Sequence, residues 1–362
     1  MKHIVIMSAF VLTFSSVNAA ETKSRNLWFS AVGNNTEQQN LPDLEGANLA
    51  KKETLTKQST FLEEKAFQLA ANSVSGGLSG AKSFLTQTLK EQITNALQDN
   101  LDLPEWAKRI EVQFDLETDV KPVYSIRTVQ PLYQSADKVN TFFTQLRYAR
   151  HTDFDLRRHT SNIGLGYRRL LLDNTVMLGA NVHYDREWRR SHSRLGAGLE
   201  ARWSGADIFL NRYQGLSSER TVSSTVTEDI IDGWDVQVLL QVPYIPSTRV
   251  MATGSRWKKS ANDYINGWRA GLESDLTPFT QISLGAVDVN DQSDPEFFVN
   301  FRISLGGYGD KRPTLLAENS ISKVAWEMRD MSAYTLDRVR REENIRLKQT
   351  NTTSLEVTVS GY

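Results

Sequence analysis

From about residue 109 to residue 305 the chain alternates apolar and polar positions with a period of two. Ile110, Val112, Phe114 and Leu116 alternate with Glu111, Gln113, Asp115 and Glu117. Val176, Leu178, Ala180, Val182 and Tyr184 alternate with Met177, Gly179, Asn181, His183 and Asp185. Similar rows begin at Leu195, Trp234 and Phe297. Successive side chains of a strand face opposite sides, so each segment has one apolar and one polar face. Twelve such segments begin near 109, 122, 141, 161, 175, 193, 206, 233, 248, 265, 279 and 296.

A soluble sandwich also alternates. Three features favour a membrane barrel instead. The segments run about 9 to 12 residues, the length a tilted strand needs to cross hydrocarbon. Their polar faces mix charge with small residues, as a wet lumen would. Several apolar rows end in aromatics (Tyr148, Tyr167, Tyr184, Trp203, Trp257), which suits interfacial girdles. The connections alternate too. Leu171-Leu172-Asp173-Asn174, Ser204-Gly205 and Leu276-Thr277-Pro278 are tight turns, whereas residues 214–231 form a long polar loop. Residues 151–159, 187–192, 258–264 and 290–295 read as loops of middle length. Short turns belong to the periplasmic side and long loops to the outside. The expectation is an all-β fold, a 12-stranded antiparallel transmembrane β-barrel over residues 109–305.

The period changes on either side. Phe61, Ala66, Leu69 and Ala70 recur at helical spacing, as do Phe84, Leu85, Leu89, Ile93 and Leu97. Residues 61–108 are expected to be a periplasmic helical region. Residues 20–60 are polar and read as a flexible periplasmic N-terminus. Residues 1–19 have the pattern of a signal peptide, with Lys2 and His3 before an apolar stretch and small residues that suit cleavage after Ala19. Residues 306–362 form a charged tail rich in arginine and glutamate at 338–348. Ser354, Leu355, Glu356, Val357, Thr358 and Val359 then alternate again, like the first strand of a domain that does not follow.

Lys+Arg 42 against Asp+Glu 43 leaves no basic excess for nucleic-acid binding. Cysteine is absent, which excludes disulfides and thiolate chemistry. No cofactor or metal motif is present. His183, Asp185, Glu187 and His192, with Arg189 and Arg190, gather at one end of the barrel pattern. They read as lumen lining rather than as a catalytic set, since polar lumen residues are the rule. The expectation is a protein without enzymatic activity.

Arg147, Arg168, Arg194, Arg202, Arg269 and Arg302 are candidates for the lumen face. They could clamp the tail through Glu342 and Glu343, or pair locally with Glu200, Glu273 and Asp235. Gly164, Gly166, Gly179, Gly196, Gly198, Gly271 and Gly285 also fall on polar faces, where they are expected to leave room for a chain segment inside the pore.

The stretch Asn162-Ile163-Gly164-Leu165-Gly166-Tyr167-Arg168-Arg169 continues through Met177-Leu178-Gly179-Ala180-Asn181-Val182-His183-Tyr184-Asp185. It ends in Ser193-Arg194-Leu195-Gly196-Ala197-Gly198-Leu199-Glu200-Ala201-Arg202-Trp203. This run resembles the translocator of intimin and invasin, the inverse autotransporters. So do Pro243-Tyr244-Ile245-Pro246-Ser247 and the tail segment from Tyr334 to Ile345. The resemblance implies an outer-membrane barrel whose following segment threads the lumen and carries a passenger to the surface, for adhesion or invasion. The partners it implies are outer-membrane lipid, the barrel-assembly machinery, periplasmic chaperones, a host-surface receptor and a second copy of the chain in a homodimer. A passenger of immunoglobulin-like domains, about 100 residues each, has no place in this sequence. The alternative reading is a plugged outer-membrane channel without export.

Overall fold

The computed structural model describes residues 103–117, 120–290, 295–308, 312–317, 320–351 and 357–359. The expected signal peptide, the polar segment 20–60 and the helical pattern of 61–100 lie outside these residues. The first described element is one helical turn, α1 (Glu105–Lys108).

The strands follow in chain order. They are β1 (Ile110–Glu117), β2 (Val120–Gln134), β3 (Asn140–Asp153), β4 (Leu156–Leu171), β5 (Val176–Glu187), β6 (Ser193–Trp203) and β7 (Ala206–Gly215). Two short strands, β8 (Arg220–Thr221) and β9 (Val226–Ile230), interrupt the long loop. Then come β10 (Gly233–Val242), β11 (Ile245–Lys258), β12 (Tyr264–Thr277), β13 (Thr280–Val289) and β14 (Glu296–Ser304). Strands β1–β7 and β10–β14 form one closed barrel of twelve. Antiparallel pairing of β1 with β14, from Glu111↔Ser304 to Glu117↔Phe298, closes it. Closure leaves no unpaired edge, the condition a sheet must meet to stand in hydrocarbon.

The two faces of the wall invert the usual order of a water-soluble protein. Leu165 (54%), Leu199 (59%) and Leu240 (48%) stand exposed on the outside. Arg168, Asp185 and Arg194 are completely buried inside. So large an apolar exterior is stable only against lipid.

Two expectations are corrected. Residues 151–159 are not a loop. Strands β3 and β4 run on as a hairpin, pairing to Asp153↔Leu156. Phe154 and Asp155 form its two-residue turn with φ of 49° and 57°. A two-residue turn with both central φ positive matches the twist of the strands it joins, so the ladder extends to its end. This is why β4 starts at Leu156 rather than near 161. Second, Trp257 is not in a lipid-facing girdle. Its place in the alternation puts it inside, 1% exposed, stacked on Tyr213 at 5.2 Å and packed with Ile231, Ile265 and Val289. Tyr148, Tyr184 and Trp203 do face outward.

Candidate functional site: the threaded lumen

The barrel ends at Ser304 on the side of the short turns, and the tail begins there. It first follows the rim. Tyr308 N donates to the Pro278 carbonyl, and Leu315 N and Leu316 N to those of Asp275 and Leu276. Tyr244 and the segment from Ser322 to Ala325 exchange two backbone hydrogen bonds. Arg329 donates to the carbonyls of Trp203 and Ser204, and its guanidinium pairs with Asp207 at 2.7 Å. Met331 N donates to the Asn174 carbonyl. The tail thus passes under four tight turns in succession. The turns are stiffly shaped for this: Leu172, Asp173, Asn174 and Tyr244 all hold positive φ.

At a 3-10 turn over Met331–Tyr334 the chain bends into the lumen. Met331 and Tyr334 pack on Leu170 and Met177 there. From Thr335 to Arg346 the tail is irregular, so its backbone groups need partners from the wall. The wall supplies them. Arg168 Nη1 donates to the carbonyls of Thr335 (2.9 Å) and Asp337 (2.6 Å). Asn211 donates to the Arg340 carbonyl, Arg194 to that of Glu342 and Asn162 to that of Glu343, all within 2.9 Å. Val339 N donates to Gln145 and Glu342 N to the Tyr213 hydroxyl, both at 2.7 Å.

Ion pairs run in both directions. Tail arginines meet wall acids: Arg341 binds Asp185 through two bonds of 2.9 and 2.5 Å, and Arg340 binds Glu273. Tail acids meet wall arginines: Asp337 binds Arg202 at 2.9 Å, and Glu343 binds Arg127 and, at 3.1 Å, Arg147. The wall partners are themselves paired. Arg168 holds Glu200 at 2.5 Å, Arg194 holds Asp185 at 2.7 Å, and Arg302 holds Glu273 at 2.7 Å. The clamp and the local ion pairs are therefore not alternatives. Each local pair fixes a guanidinium or carboxylate whose free side faces the tail. Glu342 departs from the expectation; its carboxylate pairs with Arg346 of the tail itself.

Gly164, Gly166, Gly179 and Gly198 make room for wall side chains rather than for the tail. A Cβ on Gly164 would collide with the His183 ring, and one on Gly166 with the Phe143 ring. Gly179 lies under Glu200, and Gly198 between Asn181 and Asn211. Of the polar-face glycines only Gly196 faces the tail: a Cβ added there would come 3.0 Å from an Arg341 nitrogen. Gly271 and Gly285 are paired across β12 and β13, where backbones approach closely.

The acid and histidine cluster is divided among separate tasks. Asp185 is spent on Arg194, Arg341 and Asn162. Glu187 accepts from the backbone N–H groups of Arg189 and Arg190. His192 lies 3.0 Å from Glu228. His183 sits over Gly164, its two ring nitrogens without a partner among the described residues. Among the described residues no group of three or more such side chains is placed to hold a metal ion.

Beyond the lumen the tail becomes strand β15 (Leu347–Asn351), antiparallel to β9 from Leu347↔Ile230 to Asn351↔Val226. Strand β16 (Val357–Val359) pairs back on β15. The alternating segment near the end is thus a strand of this small sheet, order β16-β15-β9-β8. Glu228 pins it. Arg158 reaches its carboxylate at 3.0 and 2.5 Å, and His192 and Gln349 at 3.0 Å. Burial pushes the Glu228 carboxyl up, but the hydrogen bonds from His192, Arg158 and Gln349 outweigh it and hold its pKa at about 2.

Arg127, Asn162, Asp207, Asn211 and Tyr213 also hold the tail but were not singled out from the sequence. Strand alternation places all five inward. Which inward residues touch the tail depends on its path, for which the sequence carries no signal.

Comparison with known proteins places this architecture. The inverse autotransporter β-domain family matches residues 62–343. The putative attaching and effacing protein homolog of Escherichia coli (strain K12) is 29% identical over 156 residues, covering 41% of this chain and 50% of that protein. The chain spans about half the length of that relative. A solved structure described under "Unveiling the Mechanism Behind the in-meso Crystallization of Membrane Proteins" superimposes with a TM-score of 0.54 at 19% identity, covering 67% of this chain and 99% of that one. The KdgM porin has a TM-score of 0.37 at 8% identity, over 54% of this chain and 98% of its own. Closed barrel, apolar exterior and family match agree on a barrel of the bacterial outer membrane, and the chain belongs to the inverse autotransporter β-domain family.

Proposed function

We propose that this chain is a translocator that inserts in the outer membrane and displays its own C-terminal segment on the cell surface. The single observation that carries the reading is the course of the tail. It enters from the short-turn side, is bonded along the lumen, and emerges to pair with β9 of the long loop. Adhesion or invasion through whatever the segment carries is part of the proposal, as are a host-surface receptor and a homodimer. Delivery by periplasmic chaperones and the barrel-assembly machinery is the route a barrel of this kind requires. The proposed role involves no catalysis and no cofactor; of the cluster's acids, Asp185 holds the tail through Arg341, and Glu187 holds the loop at Arg189 and Arg190.

The absence of cysteine allows a direct test. Thr358→Cys places one thiol on β16, and Ala136→Cys places one in the turn between β2 and β3. A membrane-impermeant maleimide applied to intact cells should label the first and spare the second until the outer membrane is permeabilised. Labelling of Thr358→Cys only after permeabilisation would remove the display reading.

The second reading is a plugged channel. It is favoured by a polar cleft beside the tail, lined by Gln237, Thr253, Ser255, Ser283 and Asn300. Conductance in planar bilayers, with and without residues 306–362, separates the two. A translocator of the proposed kind should be nearly silent until the tail is removed.

A further inference from the structure

The outer surface of the barrel carries a feature that the threaded lumen does not use. On the outward faces of four adjacent strands, Arg212, Trp234, Arg256 and Asn266 stand in one transverse row. Trp234 is the register partner of both Arg212 and Arg256, and Arg256 is the partner of Asn266. One register pair toward the turns, the same strands carry Leu210, Val236, Gly254 and Trp268. The apolar belt therefore stops at the basic row. One pair farther out, Lys258 faces Tyr264. All of this lies at the long-loop end, which faces the outer leaflet.

The cations here are not consumed by the protein. No carboxylate among the described residues forms an ion pair with Arg212, Arg256 or Lys258. Arg256 lies over the Tyr264 ring at 4.1 Å, which aims its guanidinium without neutralising it. Arg212 makes one long bond, 3.4 Å, to the Gly233 carbonyl. These side chains, Trp234 and Asp232 line one open recess. Asp232 is its only acid, and one of its oxygens accepts from Gly215 N at 2.7 Å. Immediately below, Gly254 leaves the wall bare of a side chain: a Cβ there would meet nothing within 4 Å.

We infer that this recess binds the phosphorylated glycolipid headgroup of the outer leaflet, with Arg212, Arg256 and Lys258 on its phosphate. Guanidinium groups bind phosphate through paired, charge-assisted hydrogen bonds. Arg212 and Arg256 sit two strands apart, roughly 10 Å at the usual strand spacing, so their long side chains can converge on one phosphate or hold two. Trp234 between them suits the boundary of headgroup and hydrocarbon. The bare wall at Gly254 lets the first segment of an acyl chain lie against the backbone. Basic residues near a membrane surface contribute about 1 kcal/mol each. Three together correspond to a change on the order of a hundredfold in affinity.

The test uses the full chain in phosphatidylcholine nanodiscs, with diphosphorylated lipid A, dephosphorylated lipid A and inorganic phosphate as separate probes. Binding is read by native mass spectrometry, and folding by the heat-dependent gel mobility of barrels. Wild type should prefer the diphosphorylated glycolipid. The combined variant Arg212→Gln, Arg256→Gln, Lys258→Gln should lose that preference by on the order of a hundredfold. Arg169→Gln, on the outer face near the short turns, should keep it. If the combined variant does not fold, Arg256→Gln alone should lose part of the preference and Arg256→Lys should restore most of it. Equal binding of the diphosphorylated lipid by wild type and the folded glutamine variants overturns the inference. So does inorganic phosphate binding as tightly as the lipid, which would assign the recess to free anions.

Discussion

The two halves of the lumen wall treat the tail differently. The half built from β2 to β7 presents arginines, asparagines and acids to it: Arg127, Arg147, Asn162, Arg168, Asp185, Arg194, Arg202 and Asn211. The half built from β10 to β14 turns the inward Arg302 and Arg249 to acids of the wall, Glu273 and Asp207, and leaves a cleft between the tail and Gln237, Thr253, Ser255, Ser283 and Asn300. Glu273 of β12 does reach the tail, pairing with Arg340, and Arg249 of β11 lies over the Tyr334 ring. The glycines divide in the same way. Those of β4 to β6, Gly196 apart, lie beneath lumen side chains and let them fold flat against the wall. The holding half is thus thinned by glycine where it is most heavily charged. The difference teaches that the lumen binds a chain on one side and keeps a second, open lane on the other.

The largest effect is expected at Asp185, which joins Arg194 of the wall to Arg341 of the tail. Asp185→Asn leaves two buried guanidinium groups facing each other without a counter-charge. Removing one partner of a buried charge pair costs about 3–5 kcal/mol, and the open lane beside the tail should keep the cost near the lower figure. The readout is amide hydrogen exchange at Val339 and Glu342, whose N–H groups donate to Gln145 and Tyr213. Exchange should speed up roughly a hundredfold at these amides. Unchanged protection would mean that the holding half does not depend on its charges, and the contrast would fail.

This asymmetry also marks what the sequence makes legible. The barrel is legible because side-chain alternation is a local signal and the lipid outside demands it on every strand. The expected starts near 141, 175, 193, 206 and 233 fall within a residue or two of Asn140, Val176, Ser193, Ala206 and Gly233. The hairpin turn at Phe154 and Asp155 escaped notice because neither residue is a glycine or asparagine that advertises positive φ. Trp257 was misread because an aromatic near a strand end fits a girdle by composition, although its parity points inward. Within the lumen, Arg168, Arg194, Glu200, Arg202 and Arg302 are identifiable by parity alone. Their partners are not. Pairing Arg341 with Asp185 joins residues 156 positions apart through a segment without regular structure, and no periodicity encodes that.

A smaller effect is expected where the tail leaves the holding half. Glu228 has its pKa held at about 2, below its ordinary 4.5. A carboxylate depressed on folding stabilises the structure above its unfolded pKa, and that contribution is lost as the pH falls toward the folded value. The junction of β9 with β15 should therefore be tight at pH 6 and loosen between about 4.5 and 2. A spin label on Thr358→Cys should gain mobility across that window. Glu228→Gln should remove the step by leaving the label already mobile at pH 6. A step of the same size in that variant would assign the acid response to other carboxylates.

The smallest effect is expected in the open lane. Thr253 accepts a hydrogen bond of 3.2 Å from Gln237 and faces the cleft rather than the tail. Water can replace this bond, so Thr253→Ala should change stability by no more than about 0.5 kcal/mol. Amide exchange at Val339 and Glu342 should match wild type, in contrast to Asp185→Asn. Thr253→Trp sharpens the same point, because it fills the lane without touching the holding half. It should reduce the conductance of a chain lacking residues 306–362 while leaving tail protection in the full chain unchanged. If Thr253→Trp instead releases the tail, the two halves are mechanically coupled, and the lane is part of the binding surface rather than a space beside it.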